Sequence, residues 1–174
     1  PRISAEAAVD VSIIGASGDV GRQVAVQLLA ERLLHPTDRL QLVGRSQGPS
    51  AGTLHGLAAD LSDAFAESAP ELDVALSPEE IVGDVVVMTA GATLSTDPAV
   101  APLRQSLGAH NLPIFRTYAQ ALERFGSGHE VVVIVSNPVE LGVEVFSQAL
   151  GRHRVIGIGA YQDSLRFRRE LANM

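Results

Sequence analysis

Apolar residues gather in six short runs, and between most of the runs they recur every three or four positions. The runs are Val11–Ile14, Arg39–Val43, Leu72–Leu76, Val85–Thr89, Val131–Val135 and Arg154–Ile158. Each is predicted to be a strand, and runs such as Val85-Val86-Val87-Met88 suit a parallel sheet covered on both faces. Helical spacing predicts helices over about 20–34, 53–65, 103–125, 139–150 and 163–172, with a helical turn at Pro78–Val82. In the second helix the stripe is Leu54, Leu57, Ala58, Leu61, Ala64 and Phe65. His35-Pro36-Thr37-Asp38 is expected to end the first helix, and Pro113 to break or kink the third. Alternation of strands and helices without an internal repeat predicts an α/β fold, a doubly wound parallel sheet with right-handed crossovers. Its expected strand order is 3-2-1-4-5-6, with a ligand at the carboxyl ends of the strands.

The stretch Val11–Gly21, VSIIGASGDVG, joins the first strand to the first helix through Gly15, Gly18 and Gly21. One glycine makes the turn, one lets backbone approach a pyrophosphate, and one lets helix pack on strand. The free N–H groups of the first helical turn, at Gly18, Asp19, Val20 and Gly21, would receive the phosphates. A buried strand-to-helix turn with no ligand is the alternative. At the end of the second strand stand Gly44, Arg45 and Ser46, where NAD-binding domains place an acid for the ribose 2′-hydroxyl. No carboxylate occurs between Val43 and Leu57, so nothing there repels a 2′-phosphate, and Arg45 and Ser46 could bond one. NADP(H) is therefore the expected cofactor and NAD the second choice; a solvated surface arginine is the alternative for Arg45.

Composition narrows the chemistry. The 174 residues, 46% hydrophobic, suit one domain with a sizeable core. A net charge of −7 argues against a nucleic-acid partner, which needs a basic face. The chain has no cysteine, and all 13 basic residues are arginine, so thiolate and lysine chemistry are both absent. Its apolar runs are too short for a membrane span and PRISAEAAVD lacks the apolar core of a signal peptide, so a cytoplasmic protein with no membrane partner is expected. No His/Asp/Glu cluster has metal-ligand spacing. Asp60, Asp63, Glu79 and Glu80 read as solvated faces.

Several linked motifs then agree. Ile134-Val135-Ser136-Asn137-Pro138-Val139, Arg154-Val155-Ile156-Gly157-Ile158-Gly159 and Asp163-Ser164-Leu165-Arg166-Phe167-Arg168 resemble the malate/lactate dehydrogenase family. GASGDVG, the LVGR end of the second strand and Gly56-Leu57-Ala58-Ala59-Asp60-Leu61 are similar to its malate-dehydrogenase branch, archaeal-type members especially. The resemblance covers essentially the whole chain and implies a Rossmann domain over residues 1–174, ending at the start of the link to a substrate domain. It implies a homodimer or homotetramer too, paired through the second and last helices, although Leu57, Leu61 and Leu165 could equally be core. It also implies hydride transfer between NAD(P) and a small 2-hydroxy or 2-oxo acid, malate or oxaloacetate in type.

The same resemblance implies residue roles. Asn137 would contact substrate and nicotinamide, with Gly91, Asn111 and Ser136 also on the cofactor side. Asp163 would orient the catalytic histidine, and Arg166 would grip the substrate carboxylate, a geometry that guanidinium suits. Read without the family, Asp163 and Arg166 are an i,i+3 surface ion pair at a helix start, and Asn137-Pro138 is a turn. Two features depart from the family. Its loop after the fourth strand carries two arginines, whereas Gly91–Arg104 has one; Arg104 falls where the carbonyl-polarising arginine belongs, and the specificity arginine has no match. The family's histidine lies beyond the Asp-x-x-Arg motif, while His35, His55, His110, His129 and His153 all precede it and read as surface residues. The expectation is a cofactor half with part of the substrate grip, either an enzyme's portion or a non-catalytic dinucleotide-binding homologue with a degenerate loop. Short-chain and aspartate-semialdehyde dehydrogenases, which need a lysine and a cysteine, do not fit.

Overall fold

A computed structural model describes residues 8–92 and 104–173. Six parallel strands form one sheet in the order β3-β2-β1-β4-β5-β6, which is the predicted order. They are β1 (Asp10–Ile14), β2 (Arg39–Val43), β3 (Glu71–Ala75), β4 (Val85–Met88), β5 (Val131–Ile134) and β6 (Val155–Gly157). The helices are α1 (Asp19–Ala30), α2 (Ser50–Ala64), α3 (Arg104–Phe125), α4 (Val139–Leu150) and α5 (Gly159–Ala172). A short 3-10 turn at Pro78–Glu80 and another at Arg152–Arg154 complete the order. None of the described helices is long and apolar enough to cross a membrane.

The alternation of side chains along each strand explains the two-sided core. On one face Ile13, Leu40 and Leu42 pack with Ala25 and Leu29 of α1 and Leu54 and Leu61 of α2. On the other, Ile14, Val86, Met88, Val132 and Ile134 pack with Phe115 of α3 and Phe146 of α4. The rings of Phe115 and Phe146 meet edge to face at 6.4 Å. Leu61 thus belongs to the core and Leu57 packs half-buried beside it, but Leu165 stands 44% exposed on α5.

Four helices differ from expectation: α2 begins at Ser50, three residues early, and the other three are α1, α3 and α5. α1 stops at Ala30, four residues early, because Arg32 takes a left-handed conformation (φ 52°). Arg32 N–H then bonds the Leu29 carbonyl and Leu33 N–H the Leu28 carbonyl, a Schellman ending that usually uses glycine. α3 runs through Pro113 without a break. Pro113 and Ala109, whose carbonyl loses its usual partner, are both exposed, so water can serve that oxygen. α5 begins at Gly159, four residues before Asp163, which is therefore mid-helix rather than at a helix start.

Candidate functional site

Parallel register sets the site. Ile14 lies opposite both Val43 and Met88, so the residues that follow these three strands emerge side by side. Gly15 turns the chain there with φ 86°, and a Cβ on it would come within 2.6 Å of the Ala90 backbone nitrogen. Its N–H bonds the Val43 carbonyl at 2.9 Å, tying the end of β1 to the end of β2. Thr89 ties β4 to the same point, donating from its hydroxyl to the Ile14 carbonyl at 2.7 Å. At Gly21 an added Cβ would meet the Gly15 carbonyl and Thr89 Oγ1, so α1 sits directly on the turn. Gly18 is different: a Cβ there would touch only the Gly15 carbonyl, at 3.4 Å. It caps α1 with no side-chain bond, which leaves first-turn N–H groups for a ligand.

A cleft of about 660 Å³ opens at these strand ends. Gly15, Ser17 and Gly18 line one part; Gly44, Arg45, Ser46 and Ser50 another; Ala90, Gly91, Ile114 and Tyr118 a third. No described residue lining it is acidic. The Ser50 hydroxyl bridges two of these parts, lying 3.2 Å from Ser17 Oγ and accepting the Arg45 backbone N–H at 3.3 Å. Gly44 allows this: a Cβ there would collide with Ser50 Oγ and with Leu54 Cδ1. Burial pushes the Tyr118 phenol above its ordinary pKa, and the Arg45 charge opposes that rise.

The predicted residues divide into groups. Gly15, Gly18, Gly44, Arg45, Ser46 and Gly91 come together around the cleft. Asp19 and Val20 do not line it; their side chains border a shallow apolar groove on the flank of α1 with Val24, Leu28 and Leu33. Asn111 is fully buried and its amide is spent on backbone. Its Nδ2 donates to the Asn137 carbonyl (2.6 Å) and the Ala92 carbonyl (3.3 Å), and its Oδ1 accepts the Ala92 N–H (2.6 Å). A Cβ on Gly91 would strike that amide. Asn111 is thus a clamp between the β4 and β5 loops, rather than a side chain presented to a ligand. Ser136, also buried, offers its hydroxyl to the Ala90 carbonyl at 2.7 Å and the Met88 carbonyl at 3.1 Å.

Asn137, Asp163 and Arg166 are not in the described cleft lining. Asn137 is exposed just past β5, before a cis peptide to Pro138. Asp163 and Arg166 lie on α5, 75% and 60% exposed, and pair with each other at 3.0 Å. Arg104 opens α3. The loop positions Ser95, Thr96, Asp97 and Pro98 lie outside the described residues. All five histidines are exposed. Sequence reasoning missed Ser50, Thr89, Ile114 and Tyr118. The last two could have been found from spacing, because Asn111, Ile114 and Tyr118 share one helix face at intervals of three and four.

Residues 9–157 match the family model described as lactate/malate dehydrogenase, NAD binding domain. Malate dehydrogenase of Methanothermobacter thermautotrophicus is 32% identical over 167 residues, 93% of this chain and 48% of the relative. The L-2-hydroxycarboxylate dehydrogenase (NAD(P)(+)) of Methanocaldococcus jannaschii is 29% identical over 169 residues, 93% of this chain and 50% of the relative. Among solved structures, Cryptosporidium parvum malate dehydrogenase superposes with a TM-score of 0.77 at 25% identity, covering 95% of this chain and 50% of that one. The chain spans about half the length of the relatives it matches.

Proposed function

We propose, since the chain belongs to the lactate/malate dehydrogenase family through its NAD-binding domain, that it prefers NADP(H) and serves hydride transfer to or from a small 2-hydroxy or 2-oxo acid. The observation that carries the cofactor preference is the cleft lining, in which Arg45 and Ser46 follow β2 and no described residue is acidic. A ribose 2′-phosphate would be repelled by a carboxylate there and is attracted by a guanidinium. The open Gly18 and the uncapped first turn of α1 fit a pyrophosphate. One relative's name, ending in NAD(P)(+), is in keeping with a cleft of this family that accepts the phosphorylated cofactor.

In this reading the bound nicotinamide supplies or accepts the hydride, and the chain's residues position its partners. Backbone N–H groups at Asp19, Val20 and Gly21 hold the pyrophosphate; the Gly18 N–H, expected to join them, is given to the Gly15 carbonyl at 3.0 Å, so Gly18 contributes close approach instead. Gly91, Ser136 and Asn137 border the nicotinamide end, with Asn111 fixing the two loops that carry them. Arg166 binds the substrate carboxylate once it leaves Asp163, Asp163 steadies a histidine as it gains the substrate's hydroxyl proton, and Arg104 polarises the carbonyl. Subunit pairing through α2 and α5 is part of the same proposal. Exposed Tyr161, Leu165, Phe167 and Leu171 on α5 support it.

Titration calorimetry on the chain tests the cofactor. NADPH should bind at least tenfold more tightly than NADH, and equal dissociation constants would sink the preference. Turnover is measured on a product that includes the catalytic histidine, with NADPH and oxaloacetate, pyruvate or related 2-oxo acids. Cofactor binding with no NADPH oxidation by any of them would favour the non-catalytic dinucleotide binder instead.

A further inference from the structure

Tyr118 is the one described cleft-lining side chain that combines near-complete burial with an unpartnered polar group. It lies on α3 one turn beyond Ile114 and is only 7% exposed, its ring packed in the core that also holds Met88 and Phe115. Its hydroxyl makes no hydrogen bond among the described residues, yet the residue lines the cleft. The hydroxyl is not sealed in the core with the ring, since it is not among the buried polar atoms left without a partner; it opens to the cleft, where it is available to a ligand. Its neighbours on α3 do not compete for a ligand in the same way: Thr117 donates its hydroxyl to the Pro113 carbonyl at 3.0 Å, and Ile114 is apolar.

We infer that Tyr118 is a specificity-determining residue, its hydroxyl donating a hydrogen bond to the ribose 2′-phosphate held by Arg45 and Ser46. The inference rests on the NADP(H) reading above. The phenol is protonated at neutral pH and able to donate; burial raises its pKa further, and the Arg45 charge, which opposes that rise, lies in the same electrostatic neighbourhood and the same cleft lining. An O–H bond to a phosphate dianion is charge-assisted, about twice as strong as one to a neutral acceptor such as an adenine nitrogen. The phosphate is therefore the acceptor best matched to this donor.

Tyr118→Phe tests it, because the ring and its core packing stay. Wild type and variant are titrated with NADPH, NADH, adenosine 2′,5′-bisphosphate and AMP. Wild type should favour the two 2′-phosphorylated ligands, and the variant should bind those about tenfold more weakly while NADH and AMP change less than twofold. An equal loss for all four ligands overturns the inference, since the hydroxyl then serves adenine or the fold. No loss for any of them overturns it as well. The two readings fail separately: a wild type indifferent to the 2′-phosphate overturns the cofactor preference and this role together. A wild-type preference that Tyr118→Phe leaves intact removes only the role of Tyr118.

Discussion

Around the cleft the polar groups are tied to one another, whereas on α5 the two residues assigned to substrate hold only each other. Gly15 is bonded to Val43, Thr89 to Ile14, Ser50 to Ser17 and Arg45, and Asn111 to the loops after β4 and β5. Asp163 and Arg166 make one exposed ion pair on a helix without a buried residue. The difference follows from where each set is anchored. Strand register fixes the cleft to within a hydrogen bond, while α5 packs no side chain into the core. The cleft is therefore organised by the sheet, whereas the Asp163–Arg166 pair is held, among the described residues, by nothing beyond itself.

The largest effect should come from the turn itself. Gly15→Ala places a Cβ against the Ala90 backbone at a positive φ, and should destabilise the fold by about 2–4 kcal/mol. Urea unfolding measures this, and cofactor binding should be lost with it; a fully stable variant would show that the cleft is less tightly tied than described. Asn111→Ala comes next. It leaves the Ala92 N–H and two carbonyls without their partner, at a cost of about 2–3 kcal/mol. Its binding loss should fall on the nicotinamide end, so NADPH should weaken and adenosine 2′,5′-bisphosphate should not. Arg45→Ala should do the reverse. Removing a charged donor from an exposed position leaves stability within about 0.5 kcal/mol, while NADPH affinity falls about tenfold or more. Calorimetry with NADH, which should change little, separates this from general damage.

Much of this was legible from pattern, and the exceptions share a cause. Parallel order, strand positions and the glycine turn follow from local runs and spacing, which is where sequence carries most information. The end of α1 was not legible, because an arginine occupies the left-handed position where glycine would have marked the stop. Nor was the uninterrupted path of α3 through Pro113, since that depends on which side of the helix faces water. In the site, Gly44 lines the cleft and also lets α2 pack on β2, a second role that its place in the sequence did not show. Asn111 was expected on the cofactor side, but its amide is spent on backbone of the loops after β4 and β5. Ser50 comes from an element distant in sequence and meets the cleft only after folding, whereas Tyr118 was open to discovery through its shared helix face with Asn111 and Ile114.

Acid should act away from the cleft. Asp38, at the opposite end of β2 from Arg45, accepts the backbone N–H groups of Val9 (3.0 Å) and His35 (2.7 Å). These bonds lower its pKa below the ordinary 3.8. A depressed carboxylate pKa adds stability that is complete above about pH 4 and is lost as pH falls through the folded-state value. The difference in Tm between wild type and Asp38→Asn should be constant from pH 7 to about 5 and shrink below 4. A difference unchanged down to pH 3 would show that the charge is not what these bonds need.

The smallest expected effect bears most directly on the contrast between the two regions. Arg166→Gln removes the α5 ion pair, and Asp163→Asn removes it from the other side. Both residues are more than half exposed, and exposed pairs of this kind contribute about 0.3–0.5 kcal/mol. Either variant of this chain should therefore unfold within about 0.5 kcal/mol of wild type and bind NADPH within twofold. In a product that carries the histidine, the same substitutions should lower turnover sharply, because Arg166 would then be holding substrate rather than Asp163. A large stability loss in the chain alone would mean that α5 is packed more firmly than its exposure indicates. A large loss of NADPH affinity would mean that the two regions are coupled, and that the cofactor cleft is not complete without α5.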